Sequence, residues 1–194
     1  MGTATGPLYK VAFRRRRANL TDFSKRLGLI KSPNPRMVIR TSCKGVLVQV
    51  VRFEAKGDQV VARAHSSELD AYGWLAQANT PTAYLCGLLA GMRAKKAGVK
   101  ATHLDLGMNT PSRGRILFAA GLGAKAAGLE VGVPDELVDA SRIEGGHIAA
   151  YAQDLKSKDE AKFRKHFSRY IAKNIDVTAL PKVFAAAKAK ILSG

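Results

Sequence analysis

The side chains best equipped for chemistry in this chain are arginines, and they are concentrated near its start. From Lys10 to Arg40 the sequence KVAFRRRRANLTDFSKRLGLIKSPNPRMVIR holds ten basic residues around one acid, Asp22. They are Lys10, Arg14, Arg15, Arg16, Arg17, Lys25, Arg26, Lys31, Arg36 and Arg40. Ten bases less one acid place nine of the formal +17 within the first 40 of the 194 residues. Four adjacent arginines repel one another and have no local carboxylate, so a folded chain tolerates them mainly where a partner brings negative charge. Phosphate suits this best, because the guanidinium fork binds its oxygens bidentately and each neutralised phosphate releases condensed counterions. A solvated tail, a nuclear-targeting patch or a membrane-surface patch would use the same charge. Docking is favoured by Leu20, Phe23, Leu27 and Ile30, which recur at near-helical spacing behind the arginines and give the arm an apolar face.

Other residue types capable of chemistry are sparse. Cys43 and Cys86 are far from any C-x-x-C spacing, which disfavours a disulfide framework or a cysteine-rich zinc site and makes a reducing compartment the default. Four scattered histidines, His65, His103, His147 and His166, show no paired ligand spacing. Gly121-x-Gly123 falls inside a helical pattern, so it reads as helix packing and not as a dinucleotide fingerprint. Tyr72 and Trp74 can stack on bases, yet YGW in a connection is equally a core plug. No cofactor is expected.

The elements that must position the arginines follow from patterning. A hydrophobic content of 46% excludes a fully disordered chain, and no run approaches the roughly 20 apolar residues of a membrane span. With no secretory apolar region at the N-terminus, a soluble intracellular protein is expected. MGTATGPLYK reads as an extended arm, and Ser32-Pro33-Asn34-Pro35 breaks any helix before the folded domain starts. Met37 to Ser42, Val46 to Glu54 and Val60 to His65 are Val/Ile-rich and separated by turn residues, which predicts an antiparallel three-strand meander. Alternation puts Met37, Ile39 and Thr41 on one face and Val38, Arg40 and Ser42 on the other, with Arg63 and His65 together on one face of the third strand. A helix is predicted from Thr80, taken as the N-cap, to Gly98; then a strand over Ala101 to Leu106, a helix over Arg115 to Ala127 and a strand over Leu129 to Val133. The order β-β-β-α-β-α-β predicts an α/β domain with a mixed sheet. Three segments result: a basic arm over 1–36, a core over 37–133 and a helical extension over 134–194. In the extension, Lys158 to Asn174 is predicted as one helix with Phe163, Phe167, Tyr170 and Ile171 on one face, and Pro181 starts another with Val183, Phe184, Ala187 and Ile191 inward. This extension is expected to dock on a larger assembly and not to form an independent domain.

Several motifs in order carry a resemblance: Y-x3-FRRRR-x3-TDFSKRL, NPRMVIRTS, YGW-x4-NTPTAYLCGLLAGMRA, HLDLG and RGRILFAAGLGAKAAGLEV. Together they resemble the 5S ribosomal-RNA-binding protein family of the large ribosomal subunit, universal large-subunit protein eighteen, in its longer archaeal and eukaryotic form. The match runs from Tyr9 to Ile148, with RIEGGHI resembling the archaeal-type extension, and weakens after about Lys156. The resemblance implies a ribonuclease-H-like topology and a cytoplasmic location in the large subunit. It implies 5S rRNA, large-subunit rRNA and neighbouring ribosomal proteins as partners, with no membrane and no small-molecule substrate. It carries RNA contact onto Arg14, Arg15, Arg16, Arg17, Lys25, Arg26, Arg36, Arg40, Ser42, Lys44, Gln49, Arg113 and Arg115, which join Lys10 of the arm.

A ribonuclease-H-like fold raises the rival class of a two-metal nuclease, whose chemistry needs several carboxylates converging on ions about 4 Å apart. The first strand carries Arg40 and no acid, the fourth carries only Asp105, and Glu68 and Asp70 fall in a connection. Asp105 therefore reads as a satisfied strand-end carboxylate, and a non-enzymatic RNA-binding protein of the large subunit is expected. The alternative is a basic RNA-binding assembly or processing factor outside the ribosome. Arg40 is expected to set binding register from a rigid strand, unless it pairs with an acid such as Glu54.

Overall fold

The computed structural model describes residues 6–193. The expected extended arm at MGTATGPLYK falls partly outside the described residues; residues 6–10 form an exposed turn, with the Tyr9 amide donating to the Gly6 carbonyl at 3.1 Å. Two short helices follow, α1 (Arg14–Arg17) and α2 (Phe23–Ile30). Then come β1 (Arg36–Thr41), β2 (Val46–Arg52) and β3 (Gln59–His65), a 3₁₀ segment over Ser66–Tyr72, α3 (Thr80–Lys96), β4 (Ala101–Asp105), α4 (Ile116–Ala126) and β5 (Glu130–Val131). The C-terminal part is α5 (Ala140–Ile143), α6 (Gly146–Lys158), α7 (Glu160–His166), α8 (Ser168–Ala172) and α9 (Leu180–Ser193).

The expected mixed sheet forms, with spatial order β3-β2-β1-β4-β5. β1 pairs antiparallel with β2 and β2 with β3, while β1 with β4 and β4 with β5 are parallel. The β1–β2 connection is closed by Ser42, whose amide and hydroxyl both donate to the Gly45 carbonyl and whose hydroxyl accepts from the Gly45 amide. A bulge between Val50 and Val51 shifts the register, pairing Val50 with Ala62 and Val51 with Val60. β2 ends at Arg52, short of the expected Glu54, and β5 has only two residues because Gly132 and Pro134 interrupt it.

Alternation divides the sheet as expected. Met37, Ile39, Val46, Val48, Val50, Ala62 and Ala64 are buried beneath α3 and α4, whereas Arg36, Val38, Arg40, Gln49 and Arg63 occupy the opposite face. α3 is nearly all buried because it lies between the sheet, α4 and the C-terminal helices, so it carries no simple amphipathic stripe. Its N-cap is Asn79 and not Thr80: the Asn79 Oδ1 accepts from the Thr82 amide at 3.0 Å. α3 and α4 touch backbone to backbone, since a methyl on Gly87 would run into the Ala120 carbonyl and one on Gly123 into that of Tyr84. The expected packing role of Gly121-x-Gly123 is thereby met.

The C-terminal part differs most from expectation. The single helix expected over Lys158 to Asn174 is two, α7 and α8, because Asp159 turns extended at the end of α6 and caps α7 by accepting from the Lys162 amide at 3.0 Å, and a second break falls at Phe167. Phe167 and Tyr170 are buried as expected, but Ile171 is exposed because the second break turns it off their face. α6 was not foreseen, since Gly145-Gly146 reads as a breaker; Gly145 takes φ 84° just ahead of it. α9 matches expectation, with Phe184, Ala187 and Ile191 buried. Phe184 packs between Trp74 and Tyr84, with ring centroids 5.9 and 5.6 Å away. The extension therefore docks on the chain's own α3 and shares its core, and Trp74 is a core plug whose Nε1 donates to the Thr82 hydroxyl.

Candidate nucleic-acid interface

The four arginines form one turn of helix, α1, and all are exposed; among the described residues none has a carboxylate partner. Arg15 Nε donates to the Thr21 hydroxyl at 2.8 Å, and Asn19 takes a left-handed φ of 51° that turns the chain into α2. The ring of Phe13 lies 5.3 Å from that of Phe23, bracketing the turn. Asp22 caps α2 by accepting from the amides of Lys25 and Ser24 at 3.1 and 3.0 Å, and these bonds hold its carboxyl below the usual range. The apolar face expected on this arm is uncovered at Leu20 and Leu27 and half-covered at Phe23 and Ile30.

An alternating ion ladder ties the arm to the sheet. Arg26 Nη2 and Arg36 Nη2 both donate to Asp58 Oδ2, at 2.9 and 2.7 Å; Arg36 Nη1 donates to Asp105 Oδ2 at 2.7 Å; and Arg40 Nη2 donates to Asp105 Oδ1 at 3.1 Å. The rungs join α2, the β2–β3 turn, β1 and the end of β4. Arg40 also donates to the carbonyls of Ile39 and Asp105, and the Gly107 amide caps Asp105 Oδ1. Gly107 has φ 61°, and a Cβ there would meet the Arg40 guanidinium at 3.0 Å, so this turn favours glycine twice over. Asp105 is the satisfied strand-end carboxylate that was expected.

Arg36 requires a correction. It is only 4% exposed and its terminal nitrogens are taken up by two carboxylates, so its side chain is withdrawn from solvent as the centre of the ladder instead of standing ready for phosphate. Arg40 does pair with an acid, but with Asp105 and not Glu54, and its side chain remains 43% exposed beside the arm.

Between α2 and the open sheet face lies a cleft of about 650 Å³. Arg15, Lys25, Arg26, Arg36, Arg40 and Gln49 come together around it, with Leu20, Leu29, Val38 and Val51 forming an apolar floor. Lys10, Arg14, Arg16 and Arg17 stand on the exposed arm outside this cleft. Ser42 is occupied by its turn, with Lys44 exposed at the same tip, while Arg113 and Arg115 lie apart at the start of α4. Among the described residues no group of three or more His, Cys, Asp or Glu side chains is placed to hold a metal ion.

A sequence model of the family described as ribosomal large subunit proteins 60S L5 and 50S L18 matches residues 8–102, which span the arm, the first three strands, α3 and the start of β4. Large ribosomal subunit protein uL18 of Ignicoccus hospitalis is 44% identical over 191 residues, covering 97% of this chain and 94% of that protein. The uL18 protein of Halobacterium salinarum is 49% identical over 191 residues, covering 97% and 98%, and that of Metallosphaera sedula is 43% identical over 192 residues, covering 98% of each. The chain belongs to the uL18 family. It is a structural protein of the large ribosomal subunit, in the cytoplasmic ribosome, and not an enzyme.

Two members of the uL18 site were not singled out by sequence reading. Asp58 sits in the β2–β3 turn, where an aspartate reads as ordinary turn chemistry, yet it is the carboxylate that holds α2 against the sheet. Asn109, in the loop after β4, lines the cleft and donates to the Leu106 carbonyl at 2.9 Å; no local pattern marks it.

Proposed function

We propose that this uL18 protein binds 5S rRNA and helps attach it to the large-subunit rRNA in the central protuberance, against neighbouring ribosomal proteins. The observation that carries this reading is a turn of four exposed, carboxylate-free arginines on an arm whose next helix is latched to a rigid sheet by Arg26 and Asp58. The arginines neutralise converging phosphates, while the latch fixes where they stand, so less conformational freedom is lost on binding than by a free tail. Lys10, Lys25 and the exposed Lys44 extend the same basic surface, exposed Arg113 and half-buried Arg115 add RNA contacts apart from it, and Arg40 and Gln49 read the RNA from the sheet. Ser42 serves this surface by shaping the turn that presents Lys44. The strand order β3-β2-β1-β4-β5 supports a ribonuclease-H-like topology, here with Arg36 and Arg40 around Asp105, the one carboxylate of β4, an arrangement that favours RNA binding over metal-assisted cleavage. The segments 1–36, 37–133 and 134–194 then act as clamp, platform and buttress.

The test replaces Arg14, Arg15, Arg16 and Arg17 by alanine in the full chain and compares filter binding to 5S rRNA and a transfer RNA across salt concentrations. Four lost phosphate contacts lower the slope of log K against log salt by roughly 3 to 4 units. An unchanged slope refutes the phosphate role of the arm.

A further inference from the structure

A second cleft, of about 410 Å³, opens where the N-termini of α3 and α4 meet the end of β1. Its charges run against helix electrostatics. Neither helix has an acid in its first turn, and the N-cap of α4 is Arg115, which makes no capping bond. A cation at the positive end of a helix is unfavourable, and acids normally occupy that position. Here Arg142 and His147 are added to Arg115, and no carboxylate lines the cleft. Among the described residues the Arg142 side chain has no hydrogen-bond or ion-pair partner, and burial together with the Arg142 charge holds His147 below the usual histidine range.

Two further features point into the same space. The amides of Ile116 and Leu117, the first of α4, find no acceptor among the described bonds, and both residues line the cleft. Thr80 also lines it; the residue is only 8% exposed, its hydroxyl has no partner among the described residues, and the oxygen is open to the cleft. Donors of three kinds therefore converge on a concavity without a carboxylate: guanidinium, backbone amide and hydroxyl, with Arg115 Nη1 also donating to the Thr110 carbonyl at 2.9 Å.

We propose that this cleft is an oxyanion site that takes a backbone phosphate of RNA, held by Arg115, Arg142, the Thr80 hydroxyl and the free amides of α4. It is separate from the arm's cleft, so the protein grips RNA at two places. This rests on the RNA-binding reading above. Free inorganic phosphate shares the chemistry, and the two sources are told apart as follows.

Inorganic phosphate is titrated into the isotope-labelled full chain while amide resonances are followed, and 5S rRNA and large-subunit rRNA are bound separately to wild type, Arg142→Gln, Thr80→Val and, as a control for lost surface charge, Lys158→Ala. Phosphate is expected to shift Thr80, Ile116 and Leu117. Arg142→Gln and Thr80→Val should abolish that shift, and Arg142→Gln should weaken at least one RNA about tenfold and lower its salt slope by about 1, with Lys158→Ala unchanged. Shifts by phosphate with neither RNA weakened would mean a free-phosphate site and overturn the RNA assignment. No shift, or shifts only with an acidic peptide, would overturn the oxyanion site itself. The four-arginine variant separates the failures, because the phosphate titration does not depend on the arm.

Discussion

Replacing Arg36 by methionine, which keeps an unbranched apolar side chain but removes the charge, is the sharpest test of the ion ladder. Arg36 makes two 2.7 Å bonds, to Asp58 and Asp105, with its side chain 5% exposed and that of Asp105 10% exposed. Breaking a buried pair by removing one partner costs about 3–5 kcal/mol, because the other charge is left without compensation. Asp105 keeps Arg40 and the Gly107 amide, and Asp58 keeps Arg26, so the lower end, about 3 kcal/mol, is expected. For a chain of this size that lowers the melting temperature by about 6–12 °C. The double variant Arg36→Met/Asp105→Asn should recover part of the loss, since the orphaned charge goes with its partner. Arg40→Ala should move the melting temperature by only about 2 °C, because its half-exposed pair is worth about 0–1 kcal/mol. The assay is thermal melting beside 5S rRNA binding measured well below the transition. An Arg36→Met protein that melts like wild type but loses RNA affinity would refute the ladder's structural role and make Arg36 a ligand after all.

Burial pushes the Cys86 thiol up to about 12, while Cys43 is exposed, so a thiol reagent should label one cysteine in the native protein and two after denaturation. Gly87→Ala should destabilise by about 1–3 kcal/mol or more, whereas Gly28→Ala, with open space around its Cβ in α2, should stabilise that helix by about 0.5–1 kcal/mol; denaturant melts compare them. Asp22 is held below the usual carboxylate range by the Lys25 and Ser24 amides, so its contribution is present above the unfolded value of about 4 and is lost as pH falls through the lowered one. Backbone chemical shifts of residues 23–30 should therefore move toward coil on acidification in wild type and show no such titration in Asp22→Ala.

Elements governed by local pattern were legible in the sequence. The Val/Ile alternation of β1, β2 and β3 and the punctuated run from Asn79 to Gly98 place strands, faces and α3 to within a residue or two at most ends, the cap itself being Asn79. Arg36 was not legible as a structural residue, because its partners lie 22 and 69 positions along the chain and only the folded sheet brings them together. From sequence, an arginine in a basic run is the same whether its charge faces solvent or two carboxylates. The extension misled for the opposite reason: its aromatic spacing fits one helix, but Asp159 offers a local cap that the backbone takes. The arm's exposure and the cleft beneath α2 could be anticipated only as a basic surface, since which guanidinium groups remain unpaired depends on where Asp58 and Asp105 come to rest.

The glycine contact between α3 and α4 sets a hard mechanical stop. Where side chains separate two helices, the spacing can drift by a methylene as residues change; where carbonyl meets α-carbon, as at Gly87 with Ala120 and Gly123 with Tyr84, it cannot. The two helices therefore behave as one beam, and the gap between their first turns is held to the tolerance of backbone geometry. Through α3, which also touches β2, β3 and α9, that fixed spacing ties the loops at this end to the sheet and to the C-terminal helix.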